Sequence, residues 1–245
     1  MEDIIVMFFE LFFEGFIWIF SALVALITAF FNRKKIRQRF APIDYGEKRE
    51  KRKRNYNRNL ILDEQIILRI QEEDALFNAI EFKEWAKEVF INVQKALCQK
   101  DITSIRGNLD SNLCEHYQLL LQGNEQRGVT NIIEVLQVNF VDFSSFTEDN
   151  EKELLEVAIN VVNHNYDIEN TNNKIVRGSK TIKNRTTYKL IFYRKNGSKT
   201  QKNEKDFECP NCGAKLIAKQ RKCGYCKTLI LNGARDWVLN HVEKY

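Results

Sequence analysis

Between Ile4 and Phe31 the chain reads IIVMFFELFFEGFIWIFSALVALITAFF, 28 residues broken by only two charges, Glu10 and Glu14, and uncharged over the last 17. At about 1.5 Å per residue the whole run exceeds the roughly 30 Å of a hydrocarbon core, and its uncharged part sits at the short limit of a span. The run predicts a single transmembrane helix within residues 1–32. A secretory signal would carry a basic start and a small-residue cleavage site; this chain opens Met-Glu-Asp and meets Arg33 without one, so an uncleaved anchor is expected. Glu10 and Glu14 lie four apart on one helical face, as a polar seam or, at lower cost, hydrated at the outer interface.

Arg33, Lys34, Lys35, Arg37 and Arg39 follow at once. Positive charge stays on the cytoplasmic side, which predicts a single-pass protein of the cell (inner) membrane with its N-terminus outside and its C-terminal domain in the cytoplasm. Residues 33–58 hold twelve Lys or Arg against Asp44, Glu47 and Glu50, a net +9 in a chain whose formal charge is +5. All the excess positive charge thus lies in a juxtamembrane linker, residues 33–60, whose second cluster is Lys48, Arg49, Lys51, Arg52, Lys53 and Arg54. Pro42 and Gly46 make it extended or partly helical. Beside an anionic leaflet these side chains are placed to bind lipid headgroups. A topology signal with no other duty and a nucleic-acid patch are the alternatives, since charge does not separate them; the adjoining span puts lipid ahead of RNA.

Residues 61–245 read as mixed α and β. Phe82, Trp85, Ala86, Val89, Val93, Ala96 and Leu97 recur at helical spacing in a helix over residues 76–98, one apolar stripe to be packed on a sheet. A second helix over residues 111–122 places Leu113, Tyr117, Leu120 and Leu121 on one face, with Gly123 as its stop. Residues 131–143, the alternation of Leu155, Val157, Ile159 and Val161, that of Tyr188, Leu190 and Phe192, and a last run from Trp237 to Val242 read as strands. The Asn-rich stretch 167–186 reads as a long loop that includes a short excursion over Lys174 to Gly178. Helices followed by antiparallel strands make the class α+β, a curved sheet over a long helix.

Before the last strand stand Cys209, Cys212, Cys223 and Cys226, spaced C-x2-C-x10-C-x2-C. Two thiolate pairs at this spacing close a tetrahedral structural Zn2+ site in a ribbon over residues 207–230, and four thiolates leave no open position for catalysis. Gly213 and Gly224 adjoin ligands; Lys227 stands where a glycine is usual. Disulfides are the alternative, opposed by the reducing compartment that the topology predicts. Cys98 and Cys114 fall in the two helices and read as core or half-buried thiols rather than ligands.

The segments "FINVQKALCQKDITSIRGNLDSNL", "GVTNIIEVL", "VVNHNYDI", "RTTYKLIFYR" and "ARDWVLNHVEKY", in this order over residues 74–245, resemble the Tim44-like domain of the mitochondrial inner-membrane import machinery and its bacterial relatives, many of which carry a zinc ribbon before such a last strand. The resemblance implies a nuclear-transport-factor-two-like cone enclosing an apolar pocket. It also implies a scaffold, not an enzyme, that holds protein partners at a membrane and binds anionic lipid. Members of the mitochondrial group bind the membrane peripherally, whereas here a span is expected; the composition suits a bacterium, since no basic, acid-poor presequence opens the chain.

Cone folds also include enzymes that use a His and an Asp. His116, His164 and His241 with Asp142 and Asp167 are the candidates, His164 first among them, and no spacing fixes a pair; G-x-S-x-G, H-E-x-x-H and G-x-x-x-x-G-K-[ST] are all missing from the sequence. A ribbon that binds nucleic acid would use Lys215, Lys219, Arg221, Lys222 and Lys227, but Glu204, Asp206 and Glu208 dilute that charge and Tyr225 is the one aromatic between the outer ligands.

Overall fold

The computed structural model describes residues 45–201, 207–209, 211–217, 220–231 and 236–245, with side chains from residue 59 onward. The expected span and Arg33, Lys34, Lys35, Arg37 and Arg39 lie outside the described residues, as do the side chains of Lys48, Arg49, Lys51, Arg52, Lys53 and Arg54. Among the described residues no helix is long and apolar enough to cross a membrane. The chain divides into two compact units, Met1–Arg54 and Asn55–Tyr245; of the first, only a stretch of helical backbone is described.

That backbone begins α1, Tyr45–Glu73, so the basic segment is helical from Tyr45 on. Beyond Gly46 it has no helix breaker and is rich in Lys, Arg and Glu, all good helix formers. In the second unit Ile66 and Ile70, four apart, bury one face of α1. Asp63 fastens it: one carboxylate oxygen accepts from the Phe143 backbone N–H at 2.7 Å and the other from Lys83 at 2.6 Å. The long helix α2, Ala79–Gln99, is capped by Asn78, whose side chain accepts from the Ile80 and Glu81 N–H groups. Its buried face holds Phe82, Trp85, Ala86, Val89, Val93 and Ala96 of the expected stripe, and Phe90 besides, while Leu97 is half-buried.

A 3-10 turn, Arg106–Asn108, leads to α3, Ser111–Gln126, capped by Asp110. The helix runs through Gly123, contrary to the expected stop. It ends instead before Gly128, which takes a left-handed φ of +67°; Gly123 in an exposed helix interior costs only about 1 kcal/mol and does not break it.

Three long strands, β1 Val129–Glu148, β2 Lys152–Glu169 and β3 Ile175–Lys195, form a meander that β6, Val238–Lys244, completes on the β3 edge in the order β1-β2-β3-β6, all antiparallel. Register shifts at three places in β1 bend the sheet. Leu155, Val157, Ile159 and Val161 with Leu190, Phe192 and Leu239 line its buried face, and Phe82 sits edge-on to Phe143, Phe192 and Trp237 with ring centroids 5.4–5.7 Å apart. A groove of about 460 Å³ remains between the C-terminal half of α2 and β1, lined by Ile91, Cys98, Ile132, Val135 and Tyr166 among others.

The expected loop over 167–186 is largely strand: β2 and β3 continue pairing out to Ile168 and Ile175, interrupted at 180–183, and residues 170–174 form the connecting turn. Polar Asn, Lys and Thr side chains hide this pairing because backbone hydrogen bonds and solvent on both faces, rather than alternating burial, hold an extended hairpin.

Candidate metal centre

Two short strands, β4 Phe207–Glu208 and β5 Lys215–Leu216, carry the first cysteine pair, and the bridge between Lys222 and Leu229 closes the second. The two knuckles repeat each other. Cys209 N–H donates to Ala214 O at 2.8 Å and Gly213 N–H to Cys209 O at 2.9 Å; Cys223 N–H donates to Thr228 O at 2.9 Å and Lys227 N–H to Cys223 O at 3.1 Å. Gly213 and Lys227 hold equivalent places after the second cysteine of each pair, both left-handed, at φ +70° and +65°. Lys227 therefore tolerates a backbone that disfavours a side chain, with its Nζ donating to Gly224 O at 2.6 Å.

All four Sγ atoms lie within 4.8 Å of one another and none is in a disulfide. Cys209 and Cys226 are 3.5 Å apart, Cys212 and Cys223 3.7 Å. Sulfurs about 2.3 Å from one tetrahedral zinc would be roughly 3.8 Å apart, whereas a disulfide needs about 2.05 Å. The quartet could hold a metal ion, and its spacing is that of four ligands around one centre.

Backbone N–H groups of Asn211 and Cys212 serve Cys209, that of Ala214 serves Cys212, and that of Thr228 serves Cys226. The Thr228 hydroxyl, fully buried, accepts from the Asn211 amide at 3.0 Å and lies 3.2 Å from Cys226 Sγ, leaving its proton for the sulfur. Burial pushes the Cys209 thiol up to about 12. Burial acts on Cys226 as well, but the Thr228 hydroxyl and N–H outweigh it and bring that thiol down to about 6. Four adjacent sulfurs repel one another as thiolates unless a cation sits among them, which is why such a site binds metal and releases protons together.

The ribbon has a small core of its own, Phe207, Leu216 and Ile230, and it is fastened to the helices. Asn108, buried, donates its amide to Leu229 O at 2.7 Å and accepts from Leu229 N–H at 3.0 Å, pairing with the ribbon as a strand would. At Gly107 a Cβ would fall 2.4 Å from Asn211 Cβ and 2.9 Å from Thr228 Cγ2, so only glycine lets the turn approach. Arg221 reaches Glu88 on α2 at 3.1 Å. Sequence reasoning missed Gly107, Asn108, Asn211 and Thr228. Asn211 and Thr228, each within two positions of a ligand, were the available signal; Gly107 and Asn108 offered none.

The other candidates stand apart. His116 and His241 are exposed, and His164, half-buried, pairs with Glu134 at 3.1 Å rather than with an Asp. Asp167 meets Asn131 and Arg177, while Asp142 lies 3.9 Å from Lys83. Cys98 and Cys114, whose thiols burial pushes up, do not join the quartet.

Fold and site together define an α+β domain, helices on a curved antiparallel sheet, with a four-cysteine double knuckle inserted before its last strand. The chain belongs to the Tim44-like domain family, whose model matches residues 64–204; the knuckles and β6 lie beyond the match. No curated protein matches it. Among solved structures, the intermembrane space region of the chloroplast protein ARC6 is similar at 10% identity over 69% of this chain and 96% of that one, with a TM-score of 0.37.

Proposed function

We propose that this protein is a membrane-associated scaffold of the protein-transport class. The observation that carries the reading is its Tim44-like domain over residues 64–204. Residues 4–31 anchor it as a single span with the N-terminus outside, and the basic side chains of residues 33–58 contact anionic headgroups. The domain then faces the cytoplasm and offers its surface to a protein partner. Cys209, Cys212, Cys223 and Cys226 hold Zn2+, which supplies rigidity and no chemistry, since four thiolates fill its coordination. The ribbon it closes stands on the helices through Asn108 and Arg221, so the metal keeps in place a part of the surface that a partner meets.

Cross-linking of tagged full-length protein in intact membranes, with proteins and lipids identified together by mass spectrometry, tests this. Translocation components or membrane proteins in transit are the expected partners. Recovery of one lipid species with no protein partner would remove the transport role and leave a lipid-binding module.

A further inference from the structure

We infer that the far half of the β2–β3 hairpin is a membrane-docking element, in which Ile182 and Val176 enter the interface while Arg177, Arg185 and Lys244 receive the phosphate headgroups of anionic lipid. Asn163 faces Asn184 and Asn165 faces Ser179, so Lys180, Thr181, Ile182 and Lys183 bulge out of the ladder. The bulge is held in shape. Ser179 Oγ accepts from the Thr181 and Ile182 N–H groups at 3.1 and 3.3 Å. Gly178, at φ +78°, brings the strands so close that a Cβ there would lie 2.3 Å from Asn165 O.

This turn keeps Ile182 63% exposed between two exposed lysines, and Val176 is 54% exposed beside Arg177. Between the bulge and the end of β6 lies a concavity of about 520 Å³, lined by Arg177, Arg185 and Lys244 with Asn184, Thr186 and Tyr166 among others, and by no acidic side chain. Asp167 engages Arg177 at 2.9 Å; among the described residues no ion pair engages Arg185 or Lys244. Aliphatic side chains in a basic rim combine the two signals that hold a surface on an anionic bilayer, apolar insertion and headgroup charge. A single-stranded nucleic acid would call for several exposed rings on which successive bases stack; Tyr245 is the one exposed ring that lines this concavity, and the exposed apolar residues of the hairpin itself are Ile182 and Val176. The element is separate from residues 4–58 and stands without them.

Hydrogen exchange of the full chain, incubated with phosphatidylcholine vesicles or with vesicles that also contain phosphatidylglycerol, decides it. Amides of residues 176–184 should exchange about tenfold more slowly on the anionic vesicles alone, and Arg177→Gln, Arg185→Gln and Lys244→Gln together, or Ile182→Ser, should abolish the slowing. Vesicle-bound protein with unchanged exchange in this segment overturns the inference and leaves the anchor standing. Protein that fails to associate with vesicles at all overturns both. Stronger slowing by single-stranded RNA than by anionic lipid would reassign the surface to nucleic acid.

Discussion

Arg194 is 1% exposed with a carboxylate on either side, Asp74 at 2.7 Å and Glu153 at 2.8 Å, and its guanidinium lies 4.7 Å from the Trp237 ring centre. Asp74 also accepts from the Thr200 N–H and hydroxyl, so one cation ties the α1–α2 connection to β2, β3 and the chain that leaves it. Burial works against the Asp74 charge, and bonds from Thr200 and Arg194 overcome it, holding the carboxyl below its ordinary 3.8. A depressed carboxylate contributes stability above its unfolded pKa and loses it as pH falls through the folded one. Acid unfolding should therefore steepen below about pH 3.8. Asp74→Asn should flatten that limb and cost about 3 kcal/mol at neutral pH by breaking a buried pair, read from urea unfolding at several pH values. None of this was legible in the sequence, because the partners lie 120 and 41 residues apart and each looks like an ordinary surface charge.

At the scale of elements the ribbon was legible and its seat was not. Four cysteines at fixed spacing announce one another, whereas Asn108 and Leu229 meet across 121 residues with nothing in either segment to mark them. The seat separates two effects. Cys223→Ser should lower bound zinc, measured by elemental analysis, and loosen the ribbon, because such a knuckle folds with its metal. Asn108→Ala should leave zinc content unchanged and destabilise the domain by about 1–3 kcal/mol, since the Leu229 N–H and C=O lose their partner in a buried place. Equal loss of zinc in both variants would mean that the ribbon forms only when docked. The β2–β3 hairpin shows the opposite failure of legibility. Its inner half alternates and was read as strand; its outer half is still paired, but the bulge at 180–183 shifts its register and residues 175–185 are mostly exposed, so no period marks it.

For the whole molecule, two basic surfaces far apart in sequence face the same question of what holds the domain at a membrane. Residues 33–58 carry net +9, while the outer hairpin carries five cations, Lys174, Arg177, Lys180, Lys183 and Arg185, against Asp167 and Glu169, with Val176 and Ile182 exposed among them. Both surfaces hold by charge and both weaken with salt, but the hairpin keeps whatever part of its hold aliphatic insertion supplies. Charge near an anionic leaflet is worth about 1 kcal/mol per residue and is screened within a Debye length of about 10 Å at 0.1 M, whereas aliphatic insertion is not. A chain of residues 33–245 with every Lys and Arg of 33–58 changed to Gln should bind anionic vesicles on the order of a hundredfold more weakly and lose most of its salt dependence, even if only three of those charges act at once. The residual binding should be carried by the hairpin and disappear when Ile182→Ser is added. If the Gln variant binds as tightly as the parent in sedimentation with vesicles, the basic segment serves topology alone, and the domain's own surface must supply the contact.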